Sequence, residues 1–165
     1  MRLFDSPSYS WLGELDLGFD LRDDKTVMSR NRHEGPLVVQ KALYPEGPQI
    51  CQVLIIHPPG GIAGGDELRI NCDVEKGACV QLINPGATKW YESFERPSKQ
   101  LISLNLKADS ICEWLPQENI IFNKYLFRNF FIHSLSGGNN TRVSIWYTNI
   151  FQNRLNISIF SILTM

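Results

Sequence analysis

One stretch of the chain concentrates residues able to do chemistry. LIIHPPGGIAGGDELRI, from Leu54 to Ile70, sets His57, two prolines, four glycines (Gly60, Gly61, Gly64, Gly65) and the adjacent carboxylates Asp66 and Glu67 between two strand-like apolar runs. Imidazole nitrogen and carboxylate oxygen are ligands for divalent metals, and imidazole favours nickel, copper or zinc over calcium and magnesium. Adjacent strand residues point to opposite faces, so Asp66 and Glu67 cannot both serve one ion unless the chain bends there; Asp66 is the better candidate. A plain long turn also accounts for these residues. In that reading Pro58 and Pro59 stiffen the exit, the glycines adopt positive φ and Asp66 caps the turn.

Other glycine-loop chemistries fit poorly. A phosphate loop wants a lysine near its end, where this chain has Asp66. The dinucleotide fingerprint fails on spacing, and the residues after the loop alternate like a strand instead of opening a helix. His57 and Asp66 suggest two members of a hydrolytic triad, but no G-x-S-x-G elbow or other poised nucleophile accompanies them.

The elements that must position this loop read as strands. Leu15, Leu17, Phe19 and Leu21 alternate with polar residues or glycine, as do Leu68, Ile70, Cys72 and Val74, and Ile102, Leu104 and Leu106. This period of two marks half-buried strands. Between them lie PLVVQKALY, ICQVLIIH and ACVQLI, bounded by the turn signals PEGP, PPGG, EKG and NPGA. Turns at that spacing indicate hairpins and an all-β domain of stacked-sheet or sandwich type, with mostly antiparallel strands and few helices. No internal repeat is evident.

Composition bounds the partners. A chain of 165 residues with a net charge of -1 fits one globular domain and gives no sign of nucleic-acid binding. No apolar run has the length of a membrane span, and the start lacks a signal peptide's apolar stretch, so a cytoplasmic location is expected. Cys51, Cys72, Cys79 and Cys112 form no C-x-x-C pair and are expected as free, mostly buried thiols. All 17 acidic residues fall at or before Glu118, against 12 Lys and Arg in the same part, and four basic residues follow with no acid. From Asn119 on the chain is rich in Asn, Ile, Phe and Ser, residues with A/T-rich codons. Out-of-frame or intron-derived translation stands there beside a native ending.

Four segments, RHEGPLVVQKALYPEG, HPPGGIAGGDEL, NPGATKWY and EWLPQENIIF, resemble in order and spacing the N-terminal half of the urease accessory proteins called UreD or UreH. The similarity runs from about Trp11 to Phe122, so residues 1–122 are expected as a UreD-like β domain, incomplete relative to the family. Residues 123–165 are expected as an atypical tail, and the chain as a defective or partial factor. The resemblance implies a maturation factor and not an enzyme. It acts with UreF and the GTPase UreG on apo-urease and passes nickel to the buried metal centre, with no permanently bound cofactor and nickel as transient cargo. The implied fold is a helical-like stack of strands. Residue by residue, Asp66 matches an acidic position implicated in the metal path, Glu67 is its neighbour, and His57, Gly60, Gly61, Gly64 and Gly65 match the loop frame. Lys89 and Tyr91 match the PGATK-x-Y segment as possible interaction residues, against the plainer reading of an exposed strand end.

A relay suits weak, partly hydrated ligands, since a full set of His and Cys would trap nickel. A carboxylate beside flexible glycine backbone lets ligands exchange with water. The rivals are a β-rich protein-binding scaffold with no metal role and a small metallohydrolase.

Overall fold

The computed structural model describes residues 10–91, 96–122, 127–135, 140–151 and 154–163. It contains fourteen strands: β1 (Leu12–Arg22), β2 (Lys25–Glu34), β3 (Val38–Val39), β4 (Ile50–Ile56), β5 (Gly61–Ile62), β6 (Glu67–Val74), β7 (Cys79–Asn84), β8 (Thr88–Trp90), β9 (Ser98–Leu106), β10 (Ile111–Pro116), β11 (Asn119–Ile121), β12 (Phe127–Leu135), β13 (Arg142–Phe151) and β14 (Arg154–Leu163). No helix occurs among the described residues, in keeping with the all-β expectation.

The strands wind as a coil. β4, β5 and β6 make one turn of it, β7, β8 and β9 the next, and β10, β11 and β12 a third; each strand lies parallel to its counterpart in the turn before. β13 then runs alongside both β10 and β11. Ile50 pairs with Cys79, Cys79 with Ile111 and Ile111 with Arg142, so one strand position recurs about every 30 residues, within the range of stacked repeats. On the other sheet β1 joins β6 in parallel and β2 closes the edge antiparallel to β1.

The alternation read from the sequence fixes the faces correctly except at Leu21, which is exposed where β1 runs into its turn, past the register shift between Gly18 and Phe19. Leu15, Ile70 and Ile102 share one register line, as do Leu17, Cys72 and Leu104, then Phe19, Val74 and Leu106, and all nine are buried. Ile62, Trp90 and Ile121 form a comparable line inside the β5–β8–β11 wall. Stacking like on like buries each side chain against its neighbour one turn away, worth about 1.5–3 kcal/mol for each large apolar residue. The cysteines are all free, with Cys51, Cys72 and Cys112 buried and Cys79 half-buried.

The expectation of mostly antiparallel hairpins is corrected. Among the described residues only β1 with β2, β3 with β4 and β13 with β14 pair antiparallel. PPGG, EKG and NPGA turn the corners of the coil instead of folding a strand back on itself. A period of two specifies which face is buried, not which strand lies alongside. The strands also continue past Phe122: β12 extends the sheet of β9 and β13 that of β10, while residues 123–126, at the expected boundary, lie outside the described residues.

Candidate functional site

The glycine loop makes the corner between β4 and β6. His57 follows β4 directly, and its carbonyl accepts the Gly60 N–H at 2.8 Å across the Pro58–Pro59 turn. Gly60 has φ +69° and Gly65 φ +89°, a left-handed geometry that glycine adopts without penalty. Gly61 serves differently. A Cβ there would lie 2.2 Å from Tyr91 Cε2, so the missing side chain is what lets the Tyr91 ring rest against the loop. Gly64 sits in the turn that leads to Asp66.

Asp66 is a staple. Its Oδ1 accepts the Trp11 N–H and its Oδ2 the Ala63 N–H, both at 2.9 Å. The Trp11 carbonyl in turn accepts the Glu67 N–H at 2.9 Å, so the carboxylate pins the entry of β1 onto the loop. Each oxygen keeps a further lone pair, because a carboxylate offers about four acceptor sites. Glu67 belongs to a separate network. Arg69 lies 2.7 Å from it and 2.8 Å from Glu14, and Lys99 is 3.6 Å away. Arg69, and behind it Lys99, hold the Glu67 carboxyl below its ordinary range. A parallel set beside it joins Arg30 to Asp16 and Asp73. Asp66 and Glu67 therefore do not converge, in line with their opposite strand faces.

His57 is half-buried, and desolvation lowers its pKa while the Asp66 charge pulls it back up. The imidazole is biased towards its neutral, ligand-competent form within electrostatic reach of the carboxylate. It lines a surface cavity of about 280 Å³ together with Gly60, Asn84, Gly86 and Thr88. It also lines a narrow interior void of about 20 Å³ with Asn84, Thr88, Gln100 and Trp114. His57, Asn84 and Thr88 thus form the wall between the two, and the void is large enough for about one water. Asn84 Nδ2 donates to Thr88 Oγ1 at 3.0 Å, which holds that wall in shape.

Lys89 is exposed on β8, and Tyr91, just after it, stacks on Phe122 with centroids 5.7 Å apart and an interplanar angle of 15°. Among the described residues no group of three or more His, Cys, Asp or Glu is placed to hold an ion. The loop was legible in the sequence; Trp11 as partner of Asp66 was not, because the two meet only once β1 pairs with β6. Asn84 and Thr88 flank the NPGAT segment, so a signal for them was present.

Among the described residues no helix is long and apolar enough to cross a membrane. The family model for the UreD urease accessory protein matches residues 12–138, which takes in β12 beyond the compositional boundary. The urease accessory protein UreD of Polynucleobacter asymbioticus is 51% identical over 121 residues, covering 73% of this chain and 42% of that protein. Its counterpart in Dechloromonas aromatica is 50% identical over 116 residues (70% and 40%), and that of Delftia acidovorans 52% over 113 residues (68% and 37%). The chain spans about two fifths of the length of these curated relatives. With more than half of its residues under one family model, and with motif after motif in register along the coil, the chain belongs to the UreD family of urease accessory proteins.

Proposed function

We propose that the chain is a urease maturation factor, working in the cytoplasm with UreF and UreG on apo-urease and handing nickel on without retaining it. It is not a catalyst in this reading; the partner GTPase supplies hydrolysis. One observation carries the metal part: His57, biased towards neutral imidazole and electrically coupled to Asp66, stands in the wall between an open cavity and an interior void. A nitrogen donor and a carboxylate with spare lone pairs make a site that binds a hydrated divalent ion weakly, as a relay requires.

Calorimetric titration of nickel into the purified chain tests this. Weak, reversible binding that falls in both His57→Ala and Asp66→Ala supports the relay. In a full-length relative bearing the same loop, the matching substitutions lower nickel incorporation into urease while complex assembly persists. Loss of assembly instead would make the residues structural.

A second reading, a β-rich scaffold that bridges proteins without touching metal, draws on the hydrogen bonds of Asp66. Both of its oxygens already accept backbone N–H groups, which is what a loop staple needs and no more. Nickel binding unchanged in Asp66→Ala and His57→Ala would favour it. The metallohydrolase reading lacks a comparable observation, since such a site needs about three converging protein ligands.

A further inference from the structure

The corner where β5, β8 and β11 end carries a surface that neither the core nor the metal reading uses. Tyr91 N–H donates to the Ile62 carbonyl at 2.8 Å and Phe122 N–H to the Trp90 carbonyl at 3.1 Å, so successive turns stay in step one residue beyond the strands. This puts Tyr91 and Phe122 in one outward row, stacked on each other yet 45% and 46% exposed. The neighbouring outward row is Gly61, Lys89 and Ile120. Trp11, 54% exposed, and Leu12, 43% exposed, are tied to the same loop through Asp66. Four of the six exposed large hydrophobics among the described residues therefore gather around residues 58–66.

Rigid aromatic side chains displayed side by side are characteristic anchors of protein interfaces, because they bury much area and lose little side-chain freedom. Charge defines what such a partner must bring. Two carboxylates beside the loop are engaged, Asp66 by two backbone N–H groups and Glu67 by Arg69 and Lys99. No carboxylate pairs with Lys89 among the described residues. Lys89 and Tyr91 are two residues apart and lie on one face, about 7 Å from each other along the strand.

We propose that this corner docks a protein partner presenting an apolar anchor flanked by carboxylates, the anchor seated on Tyr91 and Phe122 and a carboxylate on the Lys89 ammonium. The inference rests on the proposed function, because it takes the docked partner to be one of the maturation proteins. It gives the absent side chain of Gly61 a second purpose: the loop behind the ring holds Tyr91 in place before the partner arrives, which lowers the ordering cost of binding.

Interferometry with the full 165-residue chain, against the purified UreF–UreG pair and separately against purified apo-urease, tests it. The wild-type chain should bind at least one of them, with affinity falling as salt rises. The Tyr91→Ser/Phe122→Ser double variant should bind that partner at least about tenfold more weakly. Lys89→Glu should weaken binding and flatten the salt dependence; as an exposed strand position it tests the surface even where the double variant loses its fold by circular dichroism. Wild-type binding that neither change alters overturns the docking surface and leaves the proposed function standing. Wild-type binding to neither partner overturns both.

Discussion

Replacing Asp66 separates its role as a staple from its role as a ligand. The carboxylate accepts two backbone N–H bonds of 2.9 Å, one from Trp11 and one from Ala63. A hydrogen bond to a charged group contributes about 1.5–3 kcal/mol when buried; here both donors are near solvent, where water can replace the lost acceptor, so about 1 kcal/mol apiece is the fitting scale. Asp66→Ala should then destabilise the chain by about 2 kcal/mol, and Asp66→Asn, which keeps one carbonyl oxygen, by about 1 kcal/mol. Urea unfolding at neutral pH reads both values. Amide hydrogen exchange should accelerate at Trp11 and Ala63 in the alanine variant and less in the asparagine one. Variants that both unfold within about 0.3 kcal/mol of the wild type, with those two amides equally protected, would refute the staple. If Asp66→Asn preserves stability while nickel binding drops, the ligand role stands by itself.

Three further outcomes are expected. Gly61→Ala forces the Tyr91 ring away and forfeits its stack on Phe122, about 0.5–1.5 kcal/mol; the same change made in a Tyr91→Ala background should cost much less, and equal costs in the two backgrounds would contradict the contact. Folding lowers the His57 pKa below its ordinary 6.5, so the native state binds fewer protons than the unfolded chain there; the stability this contributes is complete above about pH 6.5 and is lost as pH falls through the lowered folded value. The urea midpoint should thus fall from pH 7 to pH 5 more steeply in the wild type than in His57→Gln, and parallel profiles would count against it. β14 is an edge strand whose sequence RLNISIFSIL carries no charge after Arg154, so the chain expressed alone should aggregate and Ser158→Lys should raise its soluble yield; no change in yield would show that this edge is not the cause.

The faces of the strands were legible because burial imposes a period of two on each strand separately, as at Leu15, Leu17 and Phe19. Their order was not. Ile50, Cys79, Ile111 and Arg142 occupy one position of the coil, yet only Ile50 and Ile111 share a residue type, so the repeat leaves little trace in identity. The site divides in the same way. His57, Asp66 and the glycines stand together in the chain and announce a shaped loop, and Gly61 and Tyr91 each belong to a recognisable motif of their own. Their contact, like that of Trp11 with Asp66, arises only from pairing between distant strands, which local pattern does not encode.

The parallel pairing of β1 with β6 also sets an order of events at synthesis. β1 and β2 are joined by a two-residue turn in which Asp23 and Asp24 both have positive φ, so this hairpin can close as soon as it is made. Its free edge then waits for β6, which ends about 40 residues later, roughly 2–8 s at ordinary translation rates. Throughout that interval the β1 edge that carries Leu15, Leu17 and Phe19 lacks its parallel neighbour. A nascent hairpin with that edge open is expected to gain from holding chaperones, and slowing translation between Glu34 and Glu67 should lower the yield of folded chain, which a synonymous slow-codon variant would test.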